Sequence, residues 1–437
     1  MNYQKLFDVA KKKGFTDVQV YLVDNRDLSL NVFKGNLEKY EIADYSSLTI
    51  KGVYNKKLAS YVTEVMDDEA IDSIVEKLLE NAKAIDSLDE SIIYEGDEHY
   101  EELKDTYNSK LSKIDVARKI ELVKKLETLL KEKDPRVVYV DSFYSETTRS
   151  VSLQNTKGLK LMDKANSAML GGSILVKGEE DQRNAFDLVI SNDFVDFSLE
   201  ELADEIVQRA VASLGAKPVP SKEYEIVFDQ NAFALLILVF QGIFSADNVQ
   251  KGMSLLKDRL DTTIGSEKLT IVDDPFMKKS SRSRSFDDEG VATKYKELVK
   301  NGVLKTYLHN LKTANKDGVK STGNAFSGSV AAVNLKVLPG DKSQNELVES
   351  VVDGILINDL QGGHSGANPI SGDFSLQATG FTIENGVKTK PVALITVSGN
   401  FIELMKKIVL VGNDLKTSYY GITCPSVKIS KMPISGI

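Results

Sequence analysis

A helix that ends at a glycine and opens onto two prolines divides this chain more firmly than any other feature. Leu199–Leu214 carries apolar residues at helical spacing, Gly215 stops it, and Pro218 and Pro220 follow within Lys217–Ser221. Proline lacks a backbone N–H and forces the residue before it into extended conformation, so neither a helix nor a central strand crosses such a spacer. At 437 residues the chain is also too long for one ordinary hydrophobic core. The spacer therefore predicts two domains, residues 1–217 and 222–437.

The two halves differ in texture. Residues 2–13 read as a helix with Leu6, Val9 and Ala10 on one face and Gly14 as its stop. Val18–Val23, Leu28–Phe33, Leu37–Ile42, Ser47–Tyr54 and Lys57–Val62 read as a meander of antiparallel strands, with Gly35-Asn36 and Asn55-Lys56 as turns. Asp67–Ala84, with Asp67 and Asp68 positioned as caps, and Ile114–Lys131 are amphipathic helices on either side of an acidic, irregular stretch, 86–110. Val137–Ser152, Leu159–Lys164 and Met169–Lys177 are further strands. Past residue 222 one long helix, Asn231–Phe244, is followed mostly by strands: Leu269–Val272, Thr293–Lys300, Val303–Leu308, Val330–Lys336, Leu376–Ile383, Val392–Val397 and Thr423–Ile429, with a short helix Phe401–Ile408. The predicted fold class is α+β in two domains: an N-terminal α/β domain with an antiparallel meander, and a C-terminal β-dominated domain opened by a long helix.

Charge and cysteine usage narrow the function. A net charge of −9 disfavours nucleic-acid binding, which needs cations to neutralise phosphates. The one compact basic run, Lys278–Arg284, is followed at once by Asp287-Asp288-Glu289 and reads as a solvated loop. A single cysteine, Cys424, excludes an intrachain disulfide. The longest apolar run, Ala232–Phe240, is far short of a bilayer span, and the first residues form an amphipathic helix rather than a signal core. The expectation is a cytoplasmic protein with no membrane and no nucleic-acid partner.

The most informative local segment is 362–386, where six glycines alternate with His364, Ser365, Asn368, Asp373 and Ser375 before Asn385-Gly386 signals a type I′ turn. Polar side chains on such backbone sit at a site or in obligatory turns. Metal chemistry is thinly represented: His99, His309 and His364 are scattered, and a zinc site would need His309, His364 and Cys424 to converge across the fold. Gly363-His364-Ser365-Gly366 is one residue short of a nucleophile elbow. Asp273-Asp274-Pro275 and Asp287-Asp288-Glu289-Gly290 read either as turn chemistry or as the wall of a polar cleft.

The ordered series of these motifs resembles one family. Asp273-Asp274-Pro275, Phe286–Gly290, Asn301–Leu304, Lys320–Asn324, His364–Ser375, Gly380–Gly386, Val397–Asn400 and Val411–Leu415 follow one another as in the TldD/PmbA family, also called modulators of DNA gyrase. The likeness covers the second half strongly and the first more loosely. In the TldD-like branch the helix opening the second domain carries His-Glu-x3-His, whose imidazoles hold zinc and whose glutamate serves as base. The matching positions here are Ile237, Leu238 and Gly242. The resemblance therefore implies the TldE/PmbA-like branch: a chain with no catalytic residue, no metal and no cofactor of its own, partnered by a TldD-like catalytic subunit that carries the zinc. It implies a peptide or unfolded polypeptide as substrate, bound as an added strand, and a chain that can pair with itself when made alone. Cleft residues implied on this reading are Asp287, Asp288, Glu289, Ser321, Thr322, Asn324, His364, Asn368, Asp373 and Ser375. Two other readings stay open: a regulatory binding protein without a peptidase role, and a peptidase with an unusual metal site.

Overall fold

The computed structural model describes residues 1–86 and 92–437. Part of the acidic stretch 86–110, residues 87–91, lies outside the described residues.

The N-terminal half is one six-stranded antiparallel sheet with helices on one face. Helix α1 (Tyr3–Lys12) leads into strands β1 (Asp17–Phe33), β2 (Asn36–Tyr54) and β3 (Lys57–Thr63), then α2 (Ile71–Ala84) and α3 (Val116–Glu132). Strands β4 (Val137–Asn155), β5 (Lys160–Lys177) and β6 (Gln182–Ser191) and helix α4 (Leu199–Ala212) complete it, and the sheet order is β3-β2-β1-β4-β5-β6. The sequence reading broke β1 at Asp24–Asp27 and β2 at Ala43–Ser46. In the structure these polar residues stay in the ladder: Asp24–Asp27 pair with Ala43–Ser46 on one side and Thr147–Ser150 on the other. Ser46 Oγ donates to Asp24 at 2.5 Å, which gives the polar centre its partner. The strands are long because each serves two cores. Val18, Val20, Leu48 and Ile50 pack under α1 and α2, while Leu28, Leu30 and Val32 pack under α3 and α4. The predicted caps Asp67 and Asp68 start only a single 3-10 turn without a side-chain cap, and Asp68 instead accepts the Asn2 backbone N–H at 2.7 Å.

The C-terminal half is built around helix α5 (Gln230–Phe240), which follows strand β7 (Lys222–Phe228). Asp229 caps it by accepting Ala232 N–H at 2.9 Å, and its side chains are apolar nearly all round, so it is buried on most faces. The helix is shorter than the predicted Asn231–Phe244. At Gln241-Gly242 the chain tightens to a 3-10 turn, and Asn248 donates to the Gly242 carbonyl at 2.8 Å, removing the need for a further helical bond. Helix α6 (Ala246–Gln250) follows.

Two sheets enclose α5. One has the order β10-β9-β8-β13-β19-β18, from β8 (Ile271–Asp273), β9 (Lys296–Lys300), β10 (Val303–Leu304), β13 (Leu335–Val337), β18 (Lys416–Thr417) and β19 (Thr423–Cys424). Between β10 and β13 lie α7 (Leu311–Asp317) and a small hairpin, β11 (Ala325–Phe326) and β12 (Ser329–Val330). The other sheet has the order β16-β15-β14-β7-β20-β17, from β14 (Asp353–Gln361), β15 (Asp373–Glu384), β16 (Val387–Asn400), β17 (Ile408–Val411) and β20 (Val427–Ser435), with α8 (Gln344–Glu349) before β14 and α9 (Phe401–Lys406) after β16. Pairing of β16 with β20 closes β7, β14, β15, β16 and β20 into a small barrel. The parallel pair β7–β14 at its centre was missed from the sequence, because short buried strands show no alternation. The architecture is α+β, as predicted. Among the described residues no helix is long and apolar enough to cross a membrane.

Candidate functional site

The Gly-rich segment lies on the exposed side of α5. Gly363 sits so close to the helix that a Cβ there would meet Val239 Cγ2 at 2.9 Å, and one on Gly366 would meet the Ser375 carbonyl at 2.4 Å. Asn368 organises the loop: its side chain accepts Ile370 N–H at 2.9 Å, and its own N–H donates to the Asp373 carbonyl at 2.8 Å. Asp373 accepts from Asn400 Nδ2 at 2.9 Å, and this bond with that of Ser371 holds its carboxyl below the usual range. Ser375 accepts from Ser398 Oγ at 3.0 Å. His364, Asn368, Asp373 and Ser375 are all exposed.

A groove of about 690 Å³ opens between this loop and the helix, bounded by Leu235, Leu238, Val239, His364 and the aromatic pair Tyr419-Tyr420. It runs on into a cavity of about 250 Å³ between the domains, the two sharing Asp359, Gln361 and Tyr419. Burial raises the Asp359 carboxyl above its ordinary value.

The face of α5 toward the groove is hydrocarbon. Leu238 and Val239 are half-buried there, whereas Ile237 is buried in the core and Gly242 lies in the 3-10 turn beyond the helix. None of these side chains can ligate a metal or carry a proton, so the residues present do not fit the zinc of a metallopeptidase. Cys424 is buried and its thiol donates to the Gln230 carbonyl at 3.2 Å; His309 is buried beside Tyr307; His364 is exposed on the loop. Among the described residues no three His, Cys, Asp or Glu side chains converge as a metal site.

The structure separates the predicted cleft residues into two places. Asp287, Asp288 and Glu289 are away from the groove, in a clasp that joins the domains. Phe286 inserts against Tyr21, Val151 and Leu153 of the N-terminal sheet. Asp287 is fully buried and accepts three backbone N–H groups, from Glu289, Val291 and Ala325, at 2.9–3.0 Å. Burial and the neighbouring Glu289 charge push its carboxyl up to about 8 against those three donors. Asp288 accepts Tyr21 OH at 2.5 Å and Ser327 N–H at 2.7 Å, and Glu289 accepts Leu311 N–H at 2.8 Å at the start of α7. Across the same seam Asp163 takes both Ser285 N–H and Ser285 Oγ, Asp97 takes Ala292 N–H, and Tyr100 OH donates to the Gly290 carbonyl.

Thr322 and Asn324 belong to the layer behind the clasp, and Ser321 lines with Glu289 a separate cavity of about 370 Å³ bounded also by Leu58, Tyr94 and Asp97. Asn324 is fully buried and donates to Asp273 and to the Ala331 carbonyl, both at 2.8 Å; Thr322 accepts His309 N–H at 2.7 Å; Ser321 Oγ donates to the His309 carbonyl at 3.2 Å. Asp273 is itself buried and also accepts Val333 and Asn334 N–H and faces Lys296 Nζ at 3.2 Å. In the basic run Lys278–Arg284 the cations Lys278, Lys279 and Arg282 are exposed, as read, but Ser283 is buried and accepts from Asn334 Nδ2 at 3.0 Å, and Lys279 pairs with Asp196 of the N-terminal domain at 2.7 Å.

Sequence reasoning missed Leu235, Val239, Asp359, Tyr419 and Tyr420 as groove residues. The adjacent tyrosines before Gly421 were the one readable signal, since an apolar ring with a polar hydroxyl suits a boundary between core and solvent.

An α+β chain whose buried helix α5 faces an open groove defines the structural class, and comparison with known proteins gives the family. Sequence models of the PmbA/TldA metallopeptidase match domain 1 at residues 18–82, the central domain at 109–214 and the C-terminal domain at 221–436. The solved structure of a protein described as a modulator of a DNA gyrase from Thermotoga maritima is 35% identical, covers 99% of both chains and superposes with a TM-score of 0.93. TldE from Thermococcus kodakarensis shares the fold, with a TM-score of 0.91 at 22% identity over 99% of this chain and 100% of that one. The Metalloprotease PmbA homolog of Haemophilus influenzae is 26% identical over 98% of this chain and 94% of its own length. The chain belongs to the PmbA/TldD metallopeptidase family.

Proposed function

We propose that this chain is the non-catalytic, TldE/PmbA-like subunit of a cytoplasmic TldD/TldE-type assembly that degrades peptides or unfolded polypeptides, with the catalytic zinc in a TldD-like partner. The observation that carries the reading is α5 itself: its groove-facing side is the hydrocarbon of Leu235, Leu238 and Val239, and the positions matched to the zinc motif, Ile237, Leu238 and Gly242, hold no group able to bind a metal or move a proton. The helix, the groove and the Gly-rich loop are kept, while the metal-binding chemistry is gone. The kinship with the Metalloprotease PmbA homolog of Haemophilus influenzae supports the same branch. On this reading His364, Asn368, Asp373 and Ser375 contact the bound chain or the partner. Asp287, Asp288, Glu289, Ser321, Thr322 and Asn324 hold the domains that frame the groove.

Co-expression with a TldD-like chain tests this. The expected result is a stable complex, peptidase activity in the pair and not in this chain alone, and zinc only in the complex. Stoichiometric zinc in the isolated chain would overturn it in favour of an unusual metal site. Salt-sensitive binding to gyrase without any association with a TldD-like chain would replace it by the regulatory reading.

A further inference from the structure

The interdomain cavity contains a residue that its local backbone does not favour. Leu394 has φ +57°, and among the described residues it is the only non-glycine residue with left-handed backbone that lies inside a strand rather than in a turn or loop. Left-handed backbone crowds a branched side chain and is left mostly to glycine or asparagine. Nor does the core hold it there, since Leu394 is 67% exposed.

The strain comes from a bulge. Ala378 pairs with Ile395 and Gly380 with Val392, so Thr379 of β15 faces both Ala393 and Leu394 of β16. On the other side of Thr379 the partner strand also bulges: Ile357 pairs with Gly380 but Asp359 with Thr379, which leaves Asn358 unpaired. Two bulges thus flank one residue, and Asn358, Thr379 and Leu394 all line the same cavity. Bulges re-aim side chains beside sites, and residues held in unfavourable backbone cluster where function retains them. The same cavity is lined by Phe186, in edge contact with Tyr419 at 5.8 Å between ring centroids. The rest of its wall mixes side-chain amides, Asn231, Asn358, Gln361 and Gln377, each able both to donate and to accept, with Arg183, Arg209 and Asp359, whose charges are already engaged by Asp181, by Asp187 and by the Gln361 amide. Apolar anchors among amides, with both arginines already paired to carboxylates of the fold, suit the side chains and main chain of an extended polypeptide better than they suit an ion.

We infer that the paired bulges build a subsite for an apolar side chain of an extended polypeptide in the interdomain groove, with Leu394 as its specificity-determining contact. The inference rests on the polypeptide-binding reading above and adds where on the chain, and for which side-chain class, selection is made.

Leu394→Gly separates this role from a structural one. A glycine adopts the left-handed backbone freely, so the variant is expected to melt higher than the wild type, while a residue kept for packing would melt lower. The binding readout uses the full chain and two labelled peptides, one alternating leucine with serine, the other with glutamine in place of leucine. The wild type is expected to prefer the leucine peptide, and Leu394→Gly to lose about ten-fold in affinity for it while binding the glutamine peptide as before. Leu394→Asn, which tolerates the same backbone but is polar, should lose the preference equally. Unchanged preference in both variants overturns the subsite and leaves the groove reading standing. A wild type that binds neither peptide, alone or with a TldD-like chain, overturns the groove reading itself.

Discussion

The clasp at Ser285–Ala292 and the loop at Gly362–Ser375 look alike in sequence and behave oppositely in the structure. Both place acidic and polar residues on glycine-punctuated backbone. In the clasp Asp287 is fully buried, Phe286 is inserted into the other domain, and all three acids accept backbone N–H or tyrosine O–H groups. In the loop His364, Asn368, Asp373 and Ser375 are exposed, beside a groove floored with leucine and valine. What separates a scaffold motif from a site is how fully its polar groups are satisfied by the rest of the fold. That depends on residues far away in sequence, such as Tyr21, Asp97 and Asp163.

The comparison breaks first at Phe286. It fills a hydrophobic cluster formed with Tyr21, Val151 and Leu153, so Phe286→Ala should cost about 3–4 kcal/mol in urea unfolding. The loss should appear as looser domain docking, with amide exchange accelerating along the seam in β1 and β4. A loss below about 1 kcal/mol would mean that the domains are held by something other than the clasp.

A second seam is electrostatic and has a pH signature. Asp187 of β6 is buried and faces Arg209 of α4 and Lys416 of the C-terminal domain, both at 3.0 Å, and Lys416 also reaches Glu205 at 3.2 Å. Burial alone would raise the Asp187 carboxyl, but the two cations and its own bond from Leu188 N–H hold it below its ordinary value. A depressed acid stabilises the fold above its unfolded value, near 4, and that stability is lost as pH falls through the lower folded value. Asp187→Asn should therefore cost about 2 kcal/mol at neutral pH and lose less and less relative to wild type as pH drops below about 4. A difference that stays constant through that range would remove the charge pairing from the account.

The reading of the sequence was sound where local chemistry decides and failed where distant partners do. Gly215 with Pro218 and Pro220 marked the break between helix α4 and strand β7, and Asn385-Gly386 forms the turn it signals, both residues having positive φ. The family resemblance depended on short ordered motifs and placed the chain correctly. Polar Asp24–Asp27 misled, because a four-residue polar run looks like a turn unless the neighbouring strands that pair with it are known. The acids of 287–289 were legible as turn chemistry, yet nothing in their spacing told which surface they face. Val239 and Leu235 could not be read as groove residues, since a helix apolar on every side gives no hint of which side is open.

The smallest effect sharpens the comparison most. His364 is exposed, so His364→Ala should change stability by less than about 0.5 kcal/mol. A residue of the clasp that left the fold untouched would also leave function untouched. His364, on the rim of the groove, should not follow that rule: in a reconstituted pair with a TldD-like chain, its removal is expected to weaken peptide turnover or partner binding severalfold while the melting curve stays in place. Asn368→Ala provides the bridge between the two regimes. It removes the acceptor of Ile370 N–H and should cost about 1 kcal/mol by loosening the loop, with the same functional loss. If His364→Ala leaves both turnover and partner binding unchanged while Asn368→Ala lowers them, the loop matters through its shape, and the imidazole has no contact of its own.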